Sequence, residues 1–263
     1  MDVVILENAE AVARVAADHI EQVLGASAHP VLGLATGSSP LGLYGELARR
    51  HRDFGLSFAG ADVFMLDEYV GLGADHEQSY HHFIHENLVS QVDLDPARVH
   101  LPDGLATDLA AECASFDASI RDAGGVDCQL LGIGSNGHIA FNEPGSSLAS
   151  RTRPVWLTPS TIRDNARFFS SRSEVPVRAL SQGLGTIMEA RRVLLIATGA
   201  KKADAVAQMV EGPVSARCPA SVLQLHPHTV AVVDEDAAAK LELSDFYRYS
   251  RRMQLQDGAP AWS

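Results

Sequence analysis

The chain has 263 residues, 46% of them hydrophobic, and a formal net charge of -12, which suits one large domain (residues 1–263) around a single core. The acidic balance argues against a nucleic-acid partner, which needs a surplus of Lys and Arg to displace phosphate counterions. No apolar run approaches ~18 residues, and the first residues lack a basic stretch followed by an apolar one, so neither a membrane span nor a signal peptide is expected and the chain reads as cytoplasmic.

Val3–Leu6 reads as a strand, after which Asn8 caps a helix over Ala9–Leu24 that Gly25 should stop. A second strand, Val31–Leu34, ends in Ala35-Thr36-Gly37-Ser38-Ser39, and Pro40 belongs in the first turn of the next helix. Gly37, Ser38 and Ser39 are thereby an anion site of the strand, loop, helix kind, or Ser39 is only an N-cap. No Gly-Lys-Ser/Thr follows, so it is not a P-loop. Val63–Leu66 is the third strand, and it delivers Asp67, Glu68 and Tyr69 to its carboxyl end, where open α/β sheets bind ligands. Asp67 is the general-base candidate; otherwise one acid caps a turn and the other is solvated. His76, His81, His82 and His85 follow, but without the Glu of H-E-x-x-H or a third ligand they read as a partly solvated helix, not a metal site. The scattered Cys113, Cys128 and Cys218 form neither a disulfide framework nor a C-x-x-C pair.

A brief strand over Val99–Leu101 and a helix over Asp108–Ala123 capped by Thr107 lead to a central apolar run, Cys128–Ile133. The segment beyond it, to Ser150, reads as a rigid polar loop: His138 and Glu143 with Asn136, Asn142 and the breakers Gly137, Pro144 and Gly145 around them. Gly132, Gly134 and Gly137 satisfy G-x-G-x-x-G, but Pro144 and Gly145 would stop the helix that a dinucleotide needs at that point, so no nicotinamide or flavin is expected. Val155–Leu157 is a strand, Ile162–Phe169 a helix with Arg163 and Arg167, and Val193–Ala197 a buried strand. Lys201 and Lys202 then open a helix, where cations oppose the macrodipole unless an anion is near. Thr229–Val233 is the last strand, followed by Asp234, Glu235 and Asp236 and a helical tail over Ala237–Arg252. Alternating strands and helices imply an α/β, doubly wound, mostly parallel sheet with helices on both faces.

LATGSSPLGLY, FMLDEYVGL with SYHHF, GIGSNGHIAFNEPGSSLASRTR, the NARFF segment and SVLQLHP together resemble the glucosamine-6-phosphate deaminase family over nearly all of Val31–Asp234. The resemblance implies a sugar-isomerase-like fold of the Rossmann type and the conversion of D-glucosamine 6-phosphate and water to D-fructose 6-phosphate and ammonium, without metal or redox cofactor. It makes Asp67 the base at C2, His138 the ring-opening proton shuttle, Glu143 its orienting partner, and Gly37, Ser38, Ser39, Arg167 and Lys202 the phosphate ligands. Asn136 stands where some members carry Asp. Ser146, Ser147 and Arg153 match the site at which allosteric members bind N-acetylglucosamine 6-phosphate between subunits. Val155 replaces a lysine of that site, which argues against such activation and leaves a homo-oligomer only an open expectation. Two rivals remain: a 6-phosphogluconolactonase, whose loop reads like DGHTASLFP and lacks the NEP segment, and a non-catalytic sugar-phosphate sensor, for which no DNA-binding segment is present.

Overall fold

A computed structural model describes residues 1–257; the end of the expected domain, residues 258–263, lies outside the described residues. Two sheets form. The larger carries β1 (Asp2–Leu6), β2 (Val31–Leu34), β3 (Asp62–Met65), β5 (Val99–His100), β6 (Cys128–Leu131), β9 (Val193–Ala197) and β10 (Thr229–Asp234), in the order β1-β10-β9-β6-β2-β3-β5, and its neighbours pair in parallel. The composition of the inner strands explains their place: VLGL, CQLL and VLLIA are buried at every position, with no polar face, as strands covered on both sides must be. Apolar residues of α1 (Ala9–Ala26), α2 (Leu41–Phe54), α4 (Leu109–Asp122) and α7 (Ala203–Val210) share one core with these strands.

Strand order reverses between β2 and β6. The chain runs outward from β2 through β3 to β5, then returns to place β6 on the other side of β2 and continues to β9. Such a switch point opens a crevice at the carboxyl ends of the strands. The segments carrying Gly37–Ser39, Asp67, His138 and Lys202 follow β2, β3, β6 and β9, which are the four adjacent strands β9-β6-β2-β3. The sheet thereby brings four sequence-distant segments to one edge.

The smaller sheet is a departure from the sequence reading. It is antiparallel, in the order β4 (Asp67–Tyr69), β8 (Arg178–Ser181), β7 (Arg153–Trp156). Asp67 thus opens a strand instead of lying in a loop, the strand expected at Val155–Leu157 begins two residues earlier, and β8 carries no predicted element at all. Strands of three and four residues show too little alternation to be read alone. One residue, Leu66, separates the two sheets: its N–H donates to Leu34 O (3.2 Å) and its carbonyl accepts from Gln182 N (2.8 Å). Gln182, almost fully buried, also donates Nε2 to Met65 O (3.0 Å), so the bend that aims Asp67 is clamped from both sides.

Element boundaries shift elsewhere for local reasons. α1 runs past Gly25 to Ala26, and Asp108, not Thr107, caps α4 by accepting from Ala110 N and Ala111 N. The helix expected over Ile162–Phe169 is α5 (Pro159–Asn165), capped by Thr158 and continued by a 3-10 turn, Ala166–Phe168. The tail is two helices, α8 (Glu235–Ala238) and α9 (Ser244–Gln256), and the remaining helices are α3 (Tyr80–Asn87) and α6 (Leu184–Ile187). Among the described residues no helix is long and apolar enough to cross a membrane.

Candidate active site

Backbone anchors fix the first arm. Tyr44, fully buried on α2, donates its hydroxyl to Ala35 O (2.5 Å) and so holds the turn that starts at the end of β2. Gly37 lies in the left-handed region (φ 89°), which a side chain would strain. Ser39 packs on Gly132 across the switch point, where a methyl group on Gly132 would lie 3.6 Å from the Ser39 hydroxyl. On the far side, the Asp234 carboxylate accepts from Gly199 N (2.9 and 3.0 Å), fixing the turn that leads to Lys202. Lys202 Nζ donates to Ile133 O (2.5 Å), so the ammonium reaches back over the end of β6. Burial lowers the Lys202 pKa, the nearby Arg167 guanidinium lowers it further, and Asp164 opposes them. A half-buried ammonium beside the exposed Arg167 guanidinium is stabilised when an anion joins the pair. Gly37 and Arg167 line one cavity of about 250 Å³, with Tyr69, Tyr80, Asn165 and Phe169 also on its wall. A wider groove of about 510 Å³, between α1 and α9, contains none of the predicted site residues.

The two adjacent acids differ in their partners. Glu68 accepts from three backbone amides, Tyr69 N (2.8 Å), Tyr80 N (3.0 Å) and His81 N (3.0 Å), and thereby anchors the start of α3. Burial raises its pKa and the three amides oppose that. Asp67, 6% exposed, receives no hydrogen bond from a described residue. Burial, with the Glu68 charge second, raises its pKa well above the usual carboxylate value. A carboxyl left without donors and with raised proton affinity is suited to accept a proton from carbon.

The loop after β6 is held in an unusual shape. Ala140 has a left-handed backbone (φ 49°), which costs about 1–2 kcal/mol for a residue with a Cβ. Asn142, fully buried, braces that bend by donating to Ile139 O (3.1 Å) and Gln182 O (2.8 Å), while Phe141 N donates to Ser181 Oγ (3.0 Å). Gly137 is also left-handed (φ 83°), and a side chain there would meet Cys218 Sγ. On this frame His138 Nδ1 lies 3.4 Å from Glu143 Oε2, an ion-pair distance longer than a well-formed hydrogen bond. Asn136 Nδ2 donates to the same oxygen (2.8 Å), and Asn136 Oδ1 accepts from His138 N (3.2 Å). Thr158 donates Oγ1 (3.0 Å) and Thr161 its hydroxyl to Glu143 Oε1. Burial alone would raise the Glu143 pKa, but the neighbouring His138 imidazole and the bonds from Thr161 and Asn136 outweigh it and hold the group down to about 2. Glu143 is therefore a fixed anion beside the imidazole.

The predicted residues do not all converge. Asn136, His138 and Glu143 form one group, and Gly37, Arg167 and Lys202 flank the same crevice with Ser39. No hydrogen bond among the described residues joins Ser146, Ser147 and Arg153: Ser147 Oγ accepts from Ala149 N (3.3 Å), and Arg153 donates to Asn142 Oδ1 (2.9 Å). Sequence reasoning missed Thr158, Thr161, Asn165 and Asp234. The Thr-Pro-Ser-Thr start of α5 signals a cap, but nothing in it points to Glu143. Among the described residues no group of three or more His, Cys, Asp or Glu is arranged to hold a metal ion.

Comparison with known proteins identifies the family and the fold. The family described as glucosamine-6-phosphate isomerases/6-phosphogluconolactonase matches residues 6–232. Proteins named glucosamine-6-phosphate deaminase from Arthrobacter sp. (strain FB24) and Mycolicibacterium smegmatis are 55% and 53% identical over 262 and 263 residues, covering 100% of this chain and 99% of each relative. The solved structure of a monomeric glucosamine-6-phosphate deaminase superposes with a TM-score of 0.90 at 41% identity, covering 91% of this chain and 100% of that one. A 6-phosphogluconolactonase from Trypanosoma brucei shares the fold alone, with a TM-score of 0.69 at 22% identity. With the matched region spanning 6–232, from the end of β1 into β10 and including all four site segments, the chain belongs to the glucosamine-6-phosphate isomerase/6-phosphogluconolactonase family.

Proposed function

We propose that this chain converts D-glucosamine 6-phosphate and water to D-fructose 6-phosphate and ammonium, in the cytoplasm. The observation that carries the reading is the pairing of a buried carboxyl without donors, Asp67, with an imidazole beside a fixed anion, His138 and Glu143, on segments that follow neighbouring strands of one crevice. Gly37, Ser38, Ser39, Arg167 and Lys202 bind the phosphate. That contact is remote from C1 and C2, so its binding energy positions the reacting carbons.

His138 moves a proton between the ring oxygen and the anomeric hydroxyl, opening the sugar to its aldehyde. Only the open form has an acidic C2–H. Asp67 takes that proton, the electron pair moves through an enol, and the proton is returned at C1. The amine-bearing C2 becomes an imine, water adds to it, and ammonium leaves with the ketone. An imidazole can both give and take a proton, which suits the first step, and the Glu143 carboxylate faces its Nδ1. Asn136 adds a neutral donor to Glu143 where some members of the family carry a second acid.

The test is ammonium release from glucosamine 6-phosphate by the purified protein, with 6-phosphogluconolactone in parallel and with or without N-acetylglucosamine 6-phosphate. Ammonium and fructose 6-phosphate in equal amounts are expected, with no acceleration by the N-acetylated sugar because Val155 offers its phosphate no charge. Lactone hydrolysis without ammonium would overturn the reading. Lys202→Ala is expected to raise KM about 10- to 100-fold, the range for losing one charged hydrogen bond, with a smaller change in kcat. A fall in kcat with KM unmoved would remove Lys202 from the phosphate site.

A further inference from the structure

One side chain outside the acid, base and phosphate groups touches a segment from each. Tyr69 is 2% exposed, and its place on β4 puts it on the same face as Asp67, two residues earlier. Its hydroxyl accepts from Asn165 Nδ2 (2.8 Å). Its ring lies edge-on to Phe169, with centroids 5.9 Å apart. Asn165 and Phe169 each stand two residues from Arg167, one before it and one after, so both flanks of the Arg167 segment rest on this phenol. The same ring packs at 5.7 Å on Phe141, which lies between His138 and Glu143, and at 4.9 Å on Tyr80. Tyr80 stacks on Phe141 at 6.0 Å, and its hydroxyl stands beside those of Tyr69 and Thr36, the residue before Gly37. Packing inside proteins is dense, so a ring shared by several segments fixes their spacing.

We propose that Tyr69 is a positioning residue, whose hydrogen bond from Asn165 and ring contacts with Phe169 and Phe141 hold the Arg167 segment in register with the strand of Asp67 and the loop of His138. The proposal rests on the reading of Arg167 as a phosphate ligand. It accounts for a buried phenol that the chemistry itself does not use. Burial pushes the Tyr69 pKa up to about 12, so the hydroxyl stays neutral through the working pH range and the tie is independent of pH.

Tyr69→Phe deletes the hydroxyl and keeps the ring. Asn165→Ala deletes the donor from the other side. Each variant of the full chain is assayed with glucosamine 6-phosphate and, separately, titrated calorimetrically with inorganic phosphate. KM and the phosphate Kd are both expected to rise about three- to tenfold in either variant, the range for one neutral hydrogen bond, with kcat and its pH profile within twofold of the parent. The double variant is expected to lose no more than either single one, since both remove the same bond. Phosphate affinity within twofold of the parent in Tyr69→Phe overturns the proposal, as do losses that multiply in the double variant. If Tyr69→Phe does not fold, Asn165→Ala carries the same comparison from the partly exposed side. A parent protein that binds phosphate but releases no ammonium defeats the deaminase reading, and the phosphate ratios still decide for or against the tie.

Discussion

Asp67→Asn is expected to lower ammonium release by about 10²- to 10⁴-fold while making the protein more stable at neutral pH. Both effects have one origin. The carboxylate is buried beside Glu68 with no hydrogen bond to support its charge, which raises its proton affinity and makes the ionised form costly in the folded state. For a group whose folded pKa is raised, the stability contribution is fully present below the unfolded value of about 3.9 and is lost as pH rises through the folded pKa. The amide carries no charge and so avoids that loss. The melting temperature of the variant should therefore exceed that of the parent at pH 7, with the gap closing as pH is lowered toward about 4. The chemical half is read by following exchange of the C2 hydrogen of the sugar with deuterium oxide by NMR, and phosphate affinity serves as the control for an intact site. Continued exchange at the parental rate would assign the base to another group. An unchanged or lower melting temperature at pH 7 would show that the carboxylate finds support the geometry does not reveal.

The parts of this molecule that were readable from sequence are those in which one residue type answers one local demand. Continuous apolar runs such as VLLIA announce buried parallel strands, because no other element of that length tolerates water on neither face. Gly37 and Gly137 mark turns with positive φ, and Asp67 lies just past the end of β3 and His138 on the loop that leaves β6, so their arrival at the carboxyl edge followed from the topology. The antiparallel sheet was not readable. Its three strands come from 67–69, 153–156 and 178–181, and their pairing depends on Gly183, where a side chain would strike the carbonyl of Ser150, and on Gln182 stitching Met65 and Leu66. No periodicity encodes such long-range fits. The same holds for the side chains that complete the site. Thr158 and Thr161 look like ordinary helix-cap residues until α5 is docked on Glu143, and Asp234 looks like a strand end until Gly199 lies against it. Arg153 shows the reverse case: a motif position matched in sequence, whose guanidinium is engaged with Asn142 inside the loop of His138.

Glu143→Gln is the second substitution with a large expected effect, because on the proposed reading one carboxylate serves both the chemistry and the fold. In the parent, Oε2 faces His138 Nδ1 and accepts from Asn136, while Oε1 accepts from Thr158 and Thr161. A carboxylate facing Nδ1 keeps a proton there and leaves Nε2 free to exchange one with the sugar. A glutamine amide can satisfy one of those sides only. If its oxygen faces the threonines, its NH₂ meets the Asn136 and His138 donors; if it is turned round, the threonine hydroxyls must reorient. The imidazole loses its fixed anion either way, and kcat is expected to fall about 10²-fold or more with a smaller change in KM. The stability effect has a defined pH window. The folded pKa is depressed from an ordinary 4.5 to about 2, so the carboxylate stabilises the fold above about 4.5, by about 3 kcal/mol at most, and that contribution is lost as pH falls toward about 2. Denaturant midpoints of parent and variant should differ most at pH 6 to 7 and converge as the pH drops through this window. A difference that stays constant from pH 7 to about pH 3 would mean that the cost of the substitution is steric, and that the charge of Glu143 contributes nothing to holding the His138 loop.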